Sequence, residues 1–125
     1  MRALLILAAL MSGPAFAGDP VLGTWRTGPR NGSWGIVRMQ LCGKKVCGFL
    51  VGGGGRNVDK RYFGTQIVRD MTPDGRQYAG GQIFDAERGH WYIARMRLDA
   101  PDRLTVKGCV LGGVICGGQV WKREK

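Results

Sequence analysis

Gly23-Thr24-Trp25 opens the first strand-like segment of this chain, and Gln119-Val120-Trp121-Lys122-Arg123 closes the last. Thr24 and Arg26 are polar and flank Trp25, so a strand here turns the indole inward. In the closing stretch Gln119, Trp121 and Arg123 share one parity. An aromatic plug at one terminus, answered by a cation at the other, is what a sheet needs when its first and last strands meet. The stretch therefore reads as the seam of a closed barrel, with Trp25 pointing inward under Arg123.

The segments between agree. Helical periodicity is almost absent, while short runs alternating with period two recur between Gly, Asp and Pro clusters, the pattern of an all-β sandwich or barrel. The expected strands are 21–27, 34–42, 46–52, 64–70, 77–85, 90–98, 103–110 and 114–122. The clearest is His90-Trp91-Tyr92-Ile93-Ala94-Arg95-Met96-Arg97-Leu98, in which Tyr92, Ala94, Met96 and Leu98 form the apolar set and Arg95 and Arg97 face solvent. Short connections give an up-and-down antiparallel β-barrel of about eight strands. Glycines throughout suit strands that bend around a narrow barrel. The segment from Val51 to Lys60, with the run Gly52-Gly53-Gly54-Gly55, reads as a flexible loop with a basic rim; no Gly-Lys-Ser/Thr or helix follows, so nucleotide binding is set aside. Residues 56–63 have room for one helical turn.

Residues 1–17 contain Arg2, an apolar run Ala3 to Leu10, a Gly13-Pro14 break and Ala15-Phe16-Ala17. This is a three-part export signal, cut after Ala17. The run falls short of the roughly 20 apolar residues of a membrane anchor, and no Cys at the cleavage site offers a lipid attachment. One domain, 18–125, is left in the periplasm or secreted. The 125-residue chain carries 19 basic and 9 acidic residues; removing Arg2 leaves 18 against 9, a net charge of +9. Such charge draws a protein to lipopolysaccharide, anionic lipid or acidic glycan, or serves solubility alone; export makes nucleic acid the least fitting partner.

Cys42, Cys47, Cys109 and Cys116 form two close pairs. In an oxidising compartment an even count reads as disulfides, with three connectivities possible. A zinc site is disfavoured by the wide spacings and by the lack of a nearby His. The local pairing has a register argument. A Lys44-Lys45 turn sets Cys42 opposite Cys47, with Val37, Met39, Leu41 and Leu50 inward. A Gly112-Gly113 turn sets Cys109 opposite Cys116, Val106 opposite Gln119 and Leu104 opposite Trp121, with the cysteines at a hydrogen-bonded site.

The order of these features resembles a family of small exported bacterial proteins, domain of unknown function 2147. Its pattern is carried by Gly23 and Trp25, Cys42, Cys47-Gly48, Tyr78-Ala79-Gly80-Gly81 with Ile83-Phe84-Asp85, Tyr92, Gly108-Cys109, and Gln119 to Arg123. The resemblance implies a lipocalin- or calycin-like barrel, in which a Gly-x-Trp on the first strand is covered by a late Arg. Trp25 and Arg123 match those two positions and would close the barrel. The chain is shorter than a lipocalin and has no room for a terminal helix.

A barrel of this size is just wide enough to be filled by side chains or to hold one small ligand. The residues expected to line the inside and meet a ligand are Trp25, Met39, Leu50, Tyr92, Met96, Val106, Gln119 and Trp121. Met adapts to a ligand's shape and Gln orients it. Lys44, Lys45, Arg56, Lys60 and Arg61 are expected on two neighbouring loops as a basic rim for an anionic headgroup. His90, the single histidine, stands near Asp85 and Glu87 but has no nucleophile in a recognisable arrangement, so no enzyme, cofactor or metal is expected. Two functions follow: binding of an apolar or amphipathic small molecule, or a filled barrel that acts through its surface on an envelope protein or glycan.

Overall fold

The computed structural model describes residues 18–56 and 58–124; the export signal at 1–17 lies outside them. Eight strands follow one another: β1 (Gly23–Arg26), β2 (Ser33–Cys42), β3 (Lys45–Gly55), β4 (Gln66–Asp74), β5 (Gln77–Asp85), β6 (His90–Ala100), β7 (Arg103–Val110) and β8 (Ile115–Arg123). Each pairs antiparallel with the next, and β1 pairs with β8, so the sheet is a closed up-and-down barrel. Alternation decides the facing. On β6, Ala94, Met96 and Leu98 are buried while Arg95 and Arg97 are exposed.

The barrel is shut at one end. Trp25 is fully buried and its Nε1 donates to Val21 O at 2.8 Å. The Arg123 guanidinium lies over the indole, 4.3 Å from the ring centroid. Its nitrogens donate to the carbonyls of Pro101, Leu22 and Pro20 at 2.7–2.8 Å. Residues 18–22 thus form a plug tied to both terminal strands. Gly23 is required here: its φ is +120°, and a Cβ would sit 2.7 Å from Arg123 Nη1. A side chain at position 23 would occupy the cation's place.

A second tie holds the plug. Tyr78 Oη donates a short hydrogen bond to Asp19 Oδ1, and the same carboxylate oxygen accepts from Val21 N. Burial, and then the Asp19 carboxylate, push the Tyr78 phenol above its usual range. The folded state therefore favours the neutral phenol. The stability this contributes is fully present below the unfolded value near pH 10 and is lost as pH rises beyond it. In denaturant titrations at rising pH, the wild-type chain should lose stability above about pH 10 more steeply than Tyr78→Phe; identical slopes would remove this role from Tyr78.

The structure shifts the first hairpin. Cys42 pairs with Lys45 and Gln40 with Cys47, so the turn is Gly43-Lys44 and the Cys42–Cys47 disulfide runs diagonally. Gly43 has φ +69°, the conformation a type II′ turn needs at its first central position; a lysine there would be strained. Because the shift is two residues, it leaves the facing of Val37 and Met39 unchanged. Leu41 ends up exposed at the strand's end. The second hairpin keeps the expected pairs, Cys109 with Cys116, Val106 with Gln119 and Leu104 with Trp121. Its turn, however, takes four residues, Leu111 to Val114, and the 4.1 Å Cα separation of the cysteines is that of a non-hydrogen-bonded pair. Short loops like these add about 2 kcal/mol per bridge by restricting the unfolded chain.

The glycine run is strand, not loop. Gly53, Gly54 and Gly55 pair with Gly35, Trp34 and Ser33. The Trp34 indole lies flat on Gly54, where a Cβ would be 2.6 Å from Cζ2, and the Arg26 guanidinium stacks 3.7 Å from the ring centroid. Glycine lets the indole cover the sheet. After it a single 3-10 turn forms at Lys60–Tyr62, within the stretch expected to hold one.

Candidate functional site

In an up-and-down barrel successive connections alternate between the two ends. The turns after β2, β4 and β6 lie at the shut end with both termini; those after β1, β3, β5 and β7 surround the other end, the mouth. This divides the expected basic rim. Arg56, Lys60 and Arg61 follow β3 and stand at the mouth, whereas Lys44 lies in the turn before β3 and Lys45 begins the strand, at the opposite end. The expectation that they share one rim fails because β3 separates them along its whole length.

The mouth leads into a cavity of about 1040 Å³. Its floor and walls include Leu50, Ile67, Ile83, Tyr92, Val106 and Trp121. The reason for the hollow is visible in the side chains. The shut half is filled by Trp25, Met39, Met71 and Tyr78, all essentially inaccessible to water. Towards the mouth the inward positions of β7 and β8 pass to glycine: Gly108 pairs with Gly117, and both line the cavity. A Cβ on Gly117 would meet nothing within 4 Å. One barrel is thus a packed core below and a lined space above.

Gln119 stands among the apolar walls, and charged side chains, Arg30, Asp59, Arg61, Asp85, Glu87 and Arg88, line the cavity from the connections at the mouth. Gln119 Oε1 accepts from Trp121 Nε1 at 2.7 Å. That bond fixes the amide beside the floor, and its NH2 has no hydrogen-bond partner among the described residues. Above, the β3–β4 connection brings Val58, Tyr62 and Phe63 over the opening; Tyr62 packs against Phe84 with centroids 5.9 Å apart. The β1–β2 connection reaches across to the β5–β6 turn, where Arg30 Nη2 lies 3.4 Å from Asp85 Oδ2 and Asn31 Nδ2 donates to the Glu87 carboxylate at 3.3 Å. Arg61 is neutralised by Asp59 at 2.7 Å, and its hydrogen bonds hold the Asp59 carboxyl below the usual carboxylate range. Arg56, Lys60 and Arg88 have no carboxylate within salt-bridge distance among the described residues.

His90 pairs with Asp85 across the β5–β6 hairpin and is exposed. Asp85 is committed to its own turn, accepting from Glu87 N and Arg88 N at 2.9 and 3.3 Å. Among the described residues, no group of three or more His, Cys, Asp or Glu side chains could hold a metal ion, and no helix is long and apolar enough to cross a membrane.

The sequence from Gly23 to Arg123, both ends of the barrel seam included, matches a family described as "Uncharacterized protein conserved in bacteria (DUF2147)". The chain belongs to that family. No curated protein matches it. Among solved structures, this DUF2147 barrel is similar to a Helicobacter pylori protein, HP1028, described as belonging to the lipocalin family. The TM-score is 0.69 at 16% identity, over 84% of this chain and 83% of that one. At that identity the likeness is one of fold, and the fold is lipocalin-like.

Of the eight residues expected to meet a ligand, Leu50, Tyr92, Val106, Gln119 and Trp121 line the cavity of this DUF2147 protein. Trp25, Met39 and Met96 point inward but belong to the packed half below it. Ile67, Ile83 and Phe63, together with the two glycines, were not among the expected residues. The Gly108–Gly117 pair was within reach, because the register that set Cys109 opposite Cys116 also sets these two glycines face to face on the inward parity. Phe63 and Tyr62 follow from no alternation, since they sit in a connection.

Proposed function

We propose that this protein is an exported binding barrel for an apolar or amphipathic small molecule, with its apolar part held between Trp121, Leu50 and Tyr92 and its polar end toward the mouth. The observation that carries the reading is the cavity. About 1040 Å³ is at the upper end of ordinary small-molecule pockets, and apolar walls under a charged mouth suit a molecule with an apolar body and a polar end. An anionic headgroup is favoured by Arg56 and Lys60 on the β3–β4 connection, which pair with no carboxylate among the described residues; Arg88 shares its turn with Asp85 and Glu87. A filled barrel acting only through its surface is disfavoured by the same hollow. Binding rather than catalysis is the reading because His90 stands exposed and its carboxylate neighbour serves a turn. The signal at residues 1–17 and the two disulfides support export.

Native mass spectrometry of the protein from its own host, and titration with anilinonaphthalene sulfonate, an aromatic body with one anionic end, test it. Expected are a bound mass lost on organic extraction, and a saturable fluorescence rise of one probe per chain that fatty acids reverse. Repeated preparations without an adduct, together with no saturable probe signal, would sink the proposal.

A further inference from the structure

The β7–β8 tip carries two local contradictions. Leu111 and Val114 are 72% and 81% exposed, the largest apolar exposures among the described residues. Leu111 also stands at φ +53°, the left-handed region that Gly, Asn or Asp occupy at least cost. Turn chemistry and solubility both ask for Asn or Gly, and the chain holds leucine. The tip is also rigid. The Cys109–Cys116 disulfide sits one rung below it, and Val114 N donates back to Val110 O at 3.2 Å. A stiffened apolar finger is thereby held out from the mouth.

Beneath the finger lies a basic pair. Arg95 on β6 is directly opposite Lys107 on β7, both exposed, and like charges so placed repel. Neither has a carboxylate within salt-bridge distance among the described residues. Arg95 reaches up to the tip: a Cβ on Gly113 would be 2.9 Å from its Nη2. An apolar projection with an unbalanced basic pair further back along the same hairpin matches the layering of an anionic bilayer, acyl chains under a negatively charged headgroup plane.

We infer that the Leu111-Gly112-Gly113-Val114 tip docks this protein onto anionic lipid surfaces, Leu111 and Val114 entering the acyl region and Arg95 and Lys107 meeting the headgroups. A second copy fits worse, since apposed tips would bring two such cation pairs together. A protein partner would find only a few side chains to cover, far below the roughly 800 Å² per side of a stable interface. Docking also brings the cavity to the bilayer, because Val110 and Ile115, at the base of the finger, line it. That consequence rests on the proposed ligand site; docking itself does not.

The test is co-flotation of the protein, produced with its own leader and purified in the form the host releases, with vesicles of phosphatidylethanolamine and phosphatidylglycerol against vesicles of phosphatidylcholine alone. The wild type should float with the anionic vesicles and lose them as salt rises. The variant Leu111→Asn with Val114→Ser should bind about a hundredfold less, while its thermal midpoint stays level or rises, since Asn accepts the left-handed backbone. Arg95→Gln and Lys107→Gln should each cost about fivefold on anionic vesicles only. Wild type left at the bottom of the gradient overturns the inference; so does a tip variant that floats like wild type, or a dimer in sedimentation that the tip variant dissolves. Anilinonaphthalene sulfonate titration of the tip variant separates the two proposals: retained probe binding with lost flotation leaves the cavity reading standing, and the reverse leaves docking standing.

Discussion

Replacing Trp25 by alanine is expected to lower stability by about 4 kcal/mol and the thermal midpoint by about 20 °C, the largest effect of any single truncation in this barrel. The indole is wholly buried, and its loss removes three things together. The packed volume at the shut end goes. Val21 O loses its donor, and the Arg123 guanidinium loses the ring beneath it. The site has little to fall back on, because β1 is four residues long and its ladder with β8 is paired at only Trp25–Arg123 and Arg26–Lys122. With domain stabilities of about 5–15 kcal/mol, Trp25→Ala should be marginally folded. Arg123→Ala is expected to cost about 2 kcal/mol, from charge-assisted hydrogen bonds to three carbonyls. Since each change removes the same contact, the double variant should fall short of the sum by at least about 0.5 kcal/mol. Denaturant unfolding of the four chains checks this, and strict additivity would mean that the cation and the ring act independently.

That closure was legible in the sequence because it is a matter of parity: Thr24 and Arg26 turned outward leave Trp25 one way to face, and Arg123 shares a parity with Trp121. Strand order and facing were legible for the same reason, as the His90–Leu98 alternation shows. What alternation does not carry is where a turn begins. Lys44-Lys45 looks like a hairpin tip by polarity, but the backbone needs positive φ at its first position and only Gly43 offers it. Nor does it separate glycine that bends a loop from glycine that yields room; Gly54 is strand because Trp34 lies on it, a contact between residues 20 apart. The division of the basic residues between two ends followed from up-and-down order alone and needed no structure. The tip was hidden by its own glycines: a Gly-Gly turn centres on residues 112 and 113, and only the four-residue loop leaves Leu111 and Val114 standing outside the ladder.

The hollow half has a single-residue test. Gly117 lies on β8 between Ile115 and Gln119, outside the left-handed backbone region, and nothing stands within 4 Å of a Cβ placed there. Gly117 lines the cavity, so a side chain added there starts with free space around its Cβ. Gly117→Trp is therefore expected to fold at least as well as wild type, because a large aromatic replaces glycine in a strand. It should weaken binding of anilinonaphthalene sulfonate about ten- to a hundredfold through overlap with the bound molecule. Gly117→Ala and Gly117→Val should fall between in order of volume. Val120→Trp, on the outward parity and already exposed, should leave affinity unchanged. A graded loss along the position 117 series with a flat response at 120 locates the ligand against the β7–β8 wall. Unchanged affinity in Gly117→Trp, with its thermal midpoint intact, would instead put the binding outside the barrel and return the function to its surface.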